Sequence, residues 1–487
     1  MKHIRIPGMR IISSALIILL LAVMAVSCGG GKTDTSDVTT TAAAETEPAE
    51  STTAVDAMGD MDLGGKTFII YDANDYPQNS MNLTREDKAG DLVNDALVER
   101  DIQITDRFNA VIEYIPGTSC ATDCAAYKTS YMAGDHICDI IYSRLTGGGA
   151  LTMLAEEKTL LDMADMPYLE LNQPWWSRLM NESFTLGGKL YFTSGDIVTG
   201  MYLSQCVIGL NLNLLEQYQI KTDYFTLVRE GRWVIDELIE IAKYKQDLDG
   251  DGVMHTSHDF FGLANDSTGY GLSAMAFVVG CGISSANNDG EHVTIDDIYS
   301  ERMTDVVEKI RQVVIKDKFD DRRDYINLTF KSDRAIAVQT YIGTNLRDME
   351  SDFTYMPFPK YDEQQEDYRT MVNGWGTLFC GIAANTDPEF AGFMTEALTR
   401  YSYENVRPVM YDIVLKQKVA RDENCTDMID YVYDSIYFDL GTAYRFGGLE
   451  DIIGRSIYNG TELTSQIEAV REKALSEVEK FEAVWLS

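Results

Sequence analysis

Asp247, Asp249 and Asp251 alternate with Leu248 and Gly250 and lead into Gly252. Three carboxylates on alternate residues, then a glycine for a sharp turn, match the opening of a calcium loop that ligates through positions 1, 3 and 5. Position 12, where such loops carry a bidentate acid, is His258, and Asp259 stands one residue later. The spacing favours a structural Ca²⁺ held by Asp247, Asp249, Asp251 and Asp259. A solvated acidic turn would use the same Asp and Gly residues. Tetrahedral zinc at His255 and His258 would need two further His or Cys ligands, and no paired cysteine motif lies nearby. Those histidines read as exposed loop residues.

Aromatic residues form a second set, with 27 Tyr, 18 Phe and 5 Trp. Their rings stack on apolar C–H faces such as those of sugars, while hydroxyls need planar polar partners beside them. Open α/β sheets gather ligands outside the carboxyl ends of their strands. On that rule the candidates are Ser143 and Arg144, Asp196 and Tyr202, Tyr341, and Trp375 within Asn373-Gly374-Trp375-Gly376. Trp175 and Trp176 join them as cleft-lining residues, whereas Trp233 opens an expected helix and reads as structural. Core packing is the competing role for each aromatic.

Catalytic motifs are scarce. The sequence contains no Gly-x-Ser-x-Gly elbow, no phosphate-cradling Gly-x-x-x-x-Gly-Lys-Ser/Thr and no Cys-x-x-Cys. Of five histidines, His3 is near the amino terminus and two lie in the acidic loop, which leaves His136 and His292. Carboxylate pairs suited to glycoside hydrolysis are inevitable among 77 acidic residues, so their presence carries no weight. The chain reads as a binding protein that needs no cofactor, not as an enzyme.

At the amino terminus, Lys2, Arg5 and Arg10 precede an apolar stretch from Ile11 to Val26. Its length suits a signal-peptide core and falls short of the about 20 residues of a membrane span. It ends in Ala25-Val26-Ser27-Cys28, which resembles a bacterial lipobox with Ala25 where Leu is usual. Residues 1–27 are thus expected to be removed and Cys28 to carry the lipid. Several acyl chains anchor stably where one does not. From 28 to 61 the chain is rich in Thr, Ala, Ser and Glu, with too little apolar surface to offset ordering, so a tether is expected. The other seven cysteines are odd in number, which argues against full disulfide pairing, and Cys206 and Cys380 sit in apolar runs. The net charge of −36 disfavours nucleic acid and anionic lipid headgroups as partners.

These residues must be positioned by a mixed α/β framework. Thr67–Tyr71, Val111–Ile115 and Asp139–Tyr142 read as strands. Between them, Val93, Leu97, Ile104 and Phe108 recur at helical spacing, and Ala121–Ala133 reads as a second helix. A further α/β stretch comprises Lys189–Phe192, Cys206–Asn211, and helices from Trp233 to about Gln246 and from Asp305 to Ile315. Ala335–Tyr341, Tyr355–Phe358 and Leu378–Ala383 follow as apolar runs. Asp387-Pro388-Glu389 starts a helix, and another is expected from about Glu462 to Trp485.

In this order along the chain stand Gly90-Asp91-Leu92-Val93-Asn94-Asp95-Ala96, Glu99-Arg100, Arg107-Phe108-Asn109, Pro174-Trp175-Trp176, and Gly188 to Phe192 with Gly195-Asp196. Val228 to Trp233, Asp247 to Gly252, Met356 to Tyr361, Leu415-Lys416 and Arg421-Asp422-Glu423 follow. Taken together they resemble the extracellular solute-binding lipoproteins of Gram-positive carbohydrate ABC transporters. The resemblance implies a two-lobed fold of the type II periplasmic-binding-protein class, with several crossovers and a ligand in the interlobe cleft. The expected division is 62–165 in lobe 1, 166–328 in lobe 2, 329–365 back in lobe 1, and 366–487 in lobe 2 with the last helices. The implied function is capture of a sugar or oligosaccharide outside the membrane, by a lipid-anchored monomer that delivers it to permease subunits. The alternatives are a surface glycan-binding lipoprotein uncoupled from transport, and a receptor for a peptide or other polar solute.

Overall fold

The structure, a computed structural model, describes residues 54–75, 81–145, 151–255, 257–265, 270–314, 323–344, 346, 348–374, 378–414 and 423–487. The expected signal peptide, Cys28, most of the tether and Trp375 lie outside the described residues.

The first sheet has the strand order Phe379–Ile382, Ile140–Ser143, Lys66–Asp72, Ala110–Pro116. The last three run parallel, with Phe68 opposite Ile112 and Ile70 opposite Ile140, and Phe379–Ile382 is antiparallel to Ile140–Ser143. Parallel neighbours need a long crossover, and the helix Leu92–Phe108 supplies the first. Asp91 caps it by accepting from the backbone N–H groups of Val93 and Asn94, and Asn109 ends it in the left-handed region at φ 49°. Its buried face carries Val93, Leu97, Ile104 and Phe108, as the spacing predicts. The helix Pro388–Tyr401 packs beside it, with Phe393 edge-on to Phe108 at 4.9 Å and Phe390 edge-on to Phe68 at 5.8 Å.

The second sheet has the order Phe353–Met356, Cys206–Asn211, Ala335–Tyr341, Phe260–Ala264, Lys245–Gln246. Its three inner strands are buried almost throughout, so their sequences are near-continuous apolar runs. Gly209 is needed at its register: a Cβ there would come within 2.9 Å of Val338 Cγ1 on the neighbouring strand.

This pairing corrects the expected path between lobes. Ala335–Tyr341 is antiparallel to Cys206–Asn211, so 329–365 does not return to the first sheet. The returning segment is Phe379–Ile382, within the stretch expected in lobe 2. Both are short buried runs, and nothing local in such a run specifies its partner. The expected helix over Trp233–Gln246 is also shorter. It spans Ile235–Ala242, because Lys245–Gln246 leaves it to pair with Phe260–Phe261. Lys189–Phe192 forms no strand of its own, and only an isolated bridge joins Thr193 to Cys380.

Among the described residues the chain passes from the first sheet to the second between Thr193 and Cys206 and back between Val372 and Phe379. Beyond the π-helical turn Ser402–Val406 and the helix Arg407–Val414, the helix Glu423–Asp434 packs on Phe353–Met356 of the second sheet. The two passages are tied by Asn373 N–H donating to Ser204 O at 2.9 Å. The last helix, Thr464–Trp485, buries Ile467, Ala474, Val478, Phe481 and Trp485, and places Trp485 against Tyr191 at 4.6 Å.

Candidate functional site

The carboxyl ends of the first-sheet strands hold Ser143 and Arg144. Ser143 is fully buried and accepts from the Cys124 thiol at 3.3 Å, so it is a core hydroxyl and presents nothing to solvent. Arg144 pairs with Asp75, whose Oδ1 also accepts from the Cys120 backbone N–H at 2.9 Å. Tyr341 closes its strand opposite Cys206 and is partly buried. These three residues are not among those that line the cavity holding Trp176, Asp196 and Tyr202.

Trp176, Asp196 and Tyr202 are brought together. They line one cavity of about 230 Å³ with Trp175, Arg178, Arg407, Tyr433 and Asp434. An isolated antiparallel bridge pairs Trp176 with Gly195, which sets Asp196 beside the tryptophans. Asp196 N–H donates to Trp175 O at 2.9 Å. The 3-10 helix Thr199–Leu203 then returns Tyr202, whose hydroxyl donates to Asp196 Oδ1. Tyr433, from the helix Glu423–Asp434, donates to Tyr202 O at 2.7 Å and packs on its ring at 5.7 Å. Arg407 opens its helix beside the rings of Tyr202, Tyr403 and Tyr411, with centroid distances of 5.9, 5.2 and 5.5 Å.

Charge in this cavity is governed by burial. Loss of solvation raises the Asp196 carboxyl to about 8, and Arg407, 3.8 Å away, pulls it down only in part. The tryptophans are held from behind. Glu396, 1% exposed, accepts Trp175 Nε1 at 2.8 Å on one oxygen and Trp176 Nε1 at 2.9 Å on the other. Arg400 Nε adds a third bond to the same carboxylate at 2.8 Å. With their N–H groups committed, the indoles can offer the cavity only their rings.

Trp175 lines the cavity beside Trp176, as expected of the pair. Arg407, Tyr433 and Glu396 were missed as functional residues: they come from helices 200 or more residues further along, and no local pattern marks them. Chemically, the cavity combines aromatic faces, a carboxyl and a guanidinium. That set suits a polar, hydroxyl-rich ring with apolar faces.

In the acidic loop, ligand oxygens of Asp247, Asp249 and Asp259 lie within 4.8 Å of one another. Oxygens so spaced can share one ion at Ca–O distances of about 2.3–2.6 Å. The loop is wound around its acids: Asp247 accepts from Gly250 and Gly252 N–H, and fully buried Asp259 accepts from Leu248 at 2.8 Å and His255 at 2.6 Å. Asp251 falls outside the set. Its Oδ1 accepts Val253 N–H at 2.7 Å and its Oδ2 faces His255 at 3.9 Å, because the turn carries it past the convergence point.

No protein-family model matches the chain, and no curated protein matches its sequence. Solved structures do. A cyclo/maltodextrin-binding protein complexed with maltotetraose is 14% identical, covers 85% of this chain and 96% of its own, and superposes with a TM-score of 0.55. The maltose-maltodextrin binding protein of the thermoacidophilic bacterium Alicyclobacillus acidocaldarius is 10% identical, covers 84% and 100%, and gives 0.52. The chain thus has the mixed α/β, two-lobed fold of periplasmic sugar-binding proteins.

Proposed function

We propose that this protein is an extracytoplasmic receptor that captures a sugar or oligosaccharide between its lobes and delivers it to the permease of an ABC importer. The observation that carries the reading is the cavity of Trp176, Asp196, Tyr202, Arg407 and Tyr433, built where the chain passes between two sheets of a maltodextrin-receptor fold. Rings and hydrogen-bonding groups facing one cavity are what a sugar requires. Segments that join two lobes are where hinge closure is transmitted. The protein acts by binding and catalyses no reaction of its own.

In this reading residues 1–27 direct export, a lipid on Cys28 holds the protein at the outer face of the membrane, and the segment that follows spaces the receptor from it. The spacer ends before 54, because Val55 is buried and Arg107 bonds the Val55 and Gly59 carbonyls, which ties 54–61 to the folded body. No helix among the described residues is long and apolar enough to cross a membrane. The receptor works as a monomer, with Ca²⁺ in the acidic loop as a structural ion. Thermal shift of the chain lacking its first 28 residues, against mono- and oligosaccharides, amino acids and peptides, tests the function. A sugar should raise Tm in step with its concentration. Stabilisation by peptides alone, or release of shorter sugars during incubation, would replace this reading with the peptide receptor or with an enzyme.

A further inference from the structure

Asp196 is 2% exposed and yet lines the cavity. Its Oδ1 is taken by the Tyr202 hydroxyl. Its Oδ2 stands 3.8 Å from Arg407 Nη1, beyond hydrogen-bonding reach. The groups that face it come from two neighbouring elements: Tyr202 from the 3-10 helix, and Arg407 from the helix Arg407–Val414, where Tyr411 lies behind the guanidinium. Arg178, Tyr433 and Asp434 complete the polar lining of the cavity. An ionised carboxylate here would be desolvated, with one distant cation to compensate it, and burial costs an unpaired charge heavily. The same burial is what lifts its titration to about 8.

We infer that Asp196 determines specificity by meeting the ligand as a neutral acid, with the Oδ2 proton donated to an acceptor oxygen of the sugar. This rests on the reading of the cavity as the sugar site. A carboxylate can only accept, whereas a carboxylic acid offers one donor and retains acceptor capacity. Capture at this residue therefore requires the proton. Ionisation removes the donor, strengthens the pull of Arg407 on Oδ2 and draws both groups away from the ligand. The bound sugar is one that presents a hydroxyl or ring oxygen to Asp196 while its apolar face lies on the rings.

The test uses the soluble chain and a panel of neutral oligosaccharides, maltotetraose included, in calorimetric titrations at about pH 6, 7 and 9. Kd should rise about tenfold between about pH 7 and 9, following the loss of the neutral form. Asp196→Asn keeps a donor and cannot ionise, so its Kd should not change with pH; Asp196→Ala should bind weakly throughout. Ligand-free unfolding supplies a second readout, in which wild type should lose stability relative to Asp196→Asn as pH rises from about 4 to about 8 and then level off. Oligosaccharide binding that is constant across this range, or parallel unfolding profiles for the two proteins, would overturn the proposal and leave the receptor standing. If no oligosaccharide binds at any pH, the receptor reading falls and takes the ligand role of Asp196 with it.

Discussion

Trp176 Nε1 and Glu396 Oε2 are 220 residues apart in sequence and 2.9 Å apart in the fold. Trp175 reaches the other oxygen of the same carboxylate. One buried acid on the helix Pro388–Tyr401 thus fixes both rings at one wall of the cavity, and Arg400 balances its charge from the next turn.

Glu396→Ala should therefore do more than delete a contact. It would leave two buried indole donors without their acceptor and take from the 5% exposed Arg400 its buried carboxylate, leaving it Glu170 and the Ala54 carbonyl. Removing one partner of a buried pair costs about 3–5 kcal/mol. A lower urea midpoint, with weaker sugar binding at temperatures where the variant stays folded, is the expected result.

Arg407→Met keeps much of the side-chain bulk beside Tyr202, Tyr403 and Tyr411 but removes the cation that faces Asp196. If the guanidinium bonds a ligand hydroxyl, Kd should rise roughly ten- to a hundredfold, as expected for a hydrogen bond to a charged group. Calorimetry with the best sugar from the screen decides this; unchanged affinity would remove Arg407 from the site.

Glu450 gives a pH prediction away from the cavity. Burial pushes its carboxyl up to about 7, against the opposing pull of Arg445. A carboxyl raised on folding contributes stability that is fully present below its unfolded pKa and is lost as pH rises through the folded one. Wild type should thus lose stability from about pH 4.5 to 7 relative to Glu450→Gln, read as the difference between their Tm profiles.

Calcium should raise Tm in proportion to its concentration over its Kd, and chelation should lower it. Asp259→Asn, at the buried end of the three-carboxylate set, should weaken that response most. Asp251→Asn should change it little, since Asp251 stands outside the set. No shift with Ca²⁺ would identify the loop as a turn held by its own N–H groups.

What the sequence determined by itself is local. Spacing of Val93, Leu97, Ile104 and Phe108 fixes a helical face, because that face must be buried. Asp91, Asn109, Asp387 and Pro388 mark helix ends, because caps act through the nearest few backbone groups. Apolar runs such as Cys206–Asn211 and Ala335–Tyr341 declare strands, and Asp196 and Tyr202 were legible as a pair six residues apart. Tertiary structure alone decided which sheet each buried run joins, since a strand with both faces covered carries no mark of its neighbour. It also decided that Ser143 faces inward, that Asp251 leaves the acidic set, and that Arg407, Tyr433 and Glu396 complete the cavity. Those residues meet Trp176 and Asp196 only after the chain has passed between the sheets, and their chemistry depends on a burial that no short stretch of sequence can report.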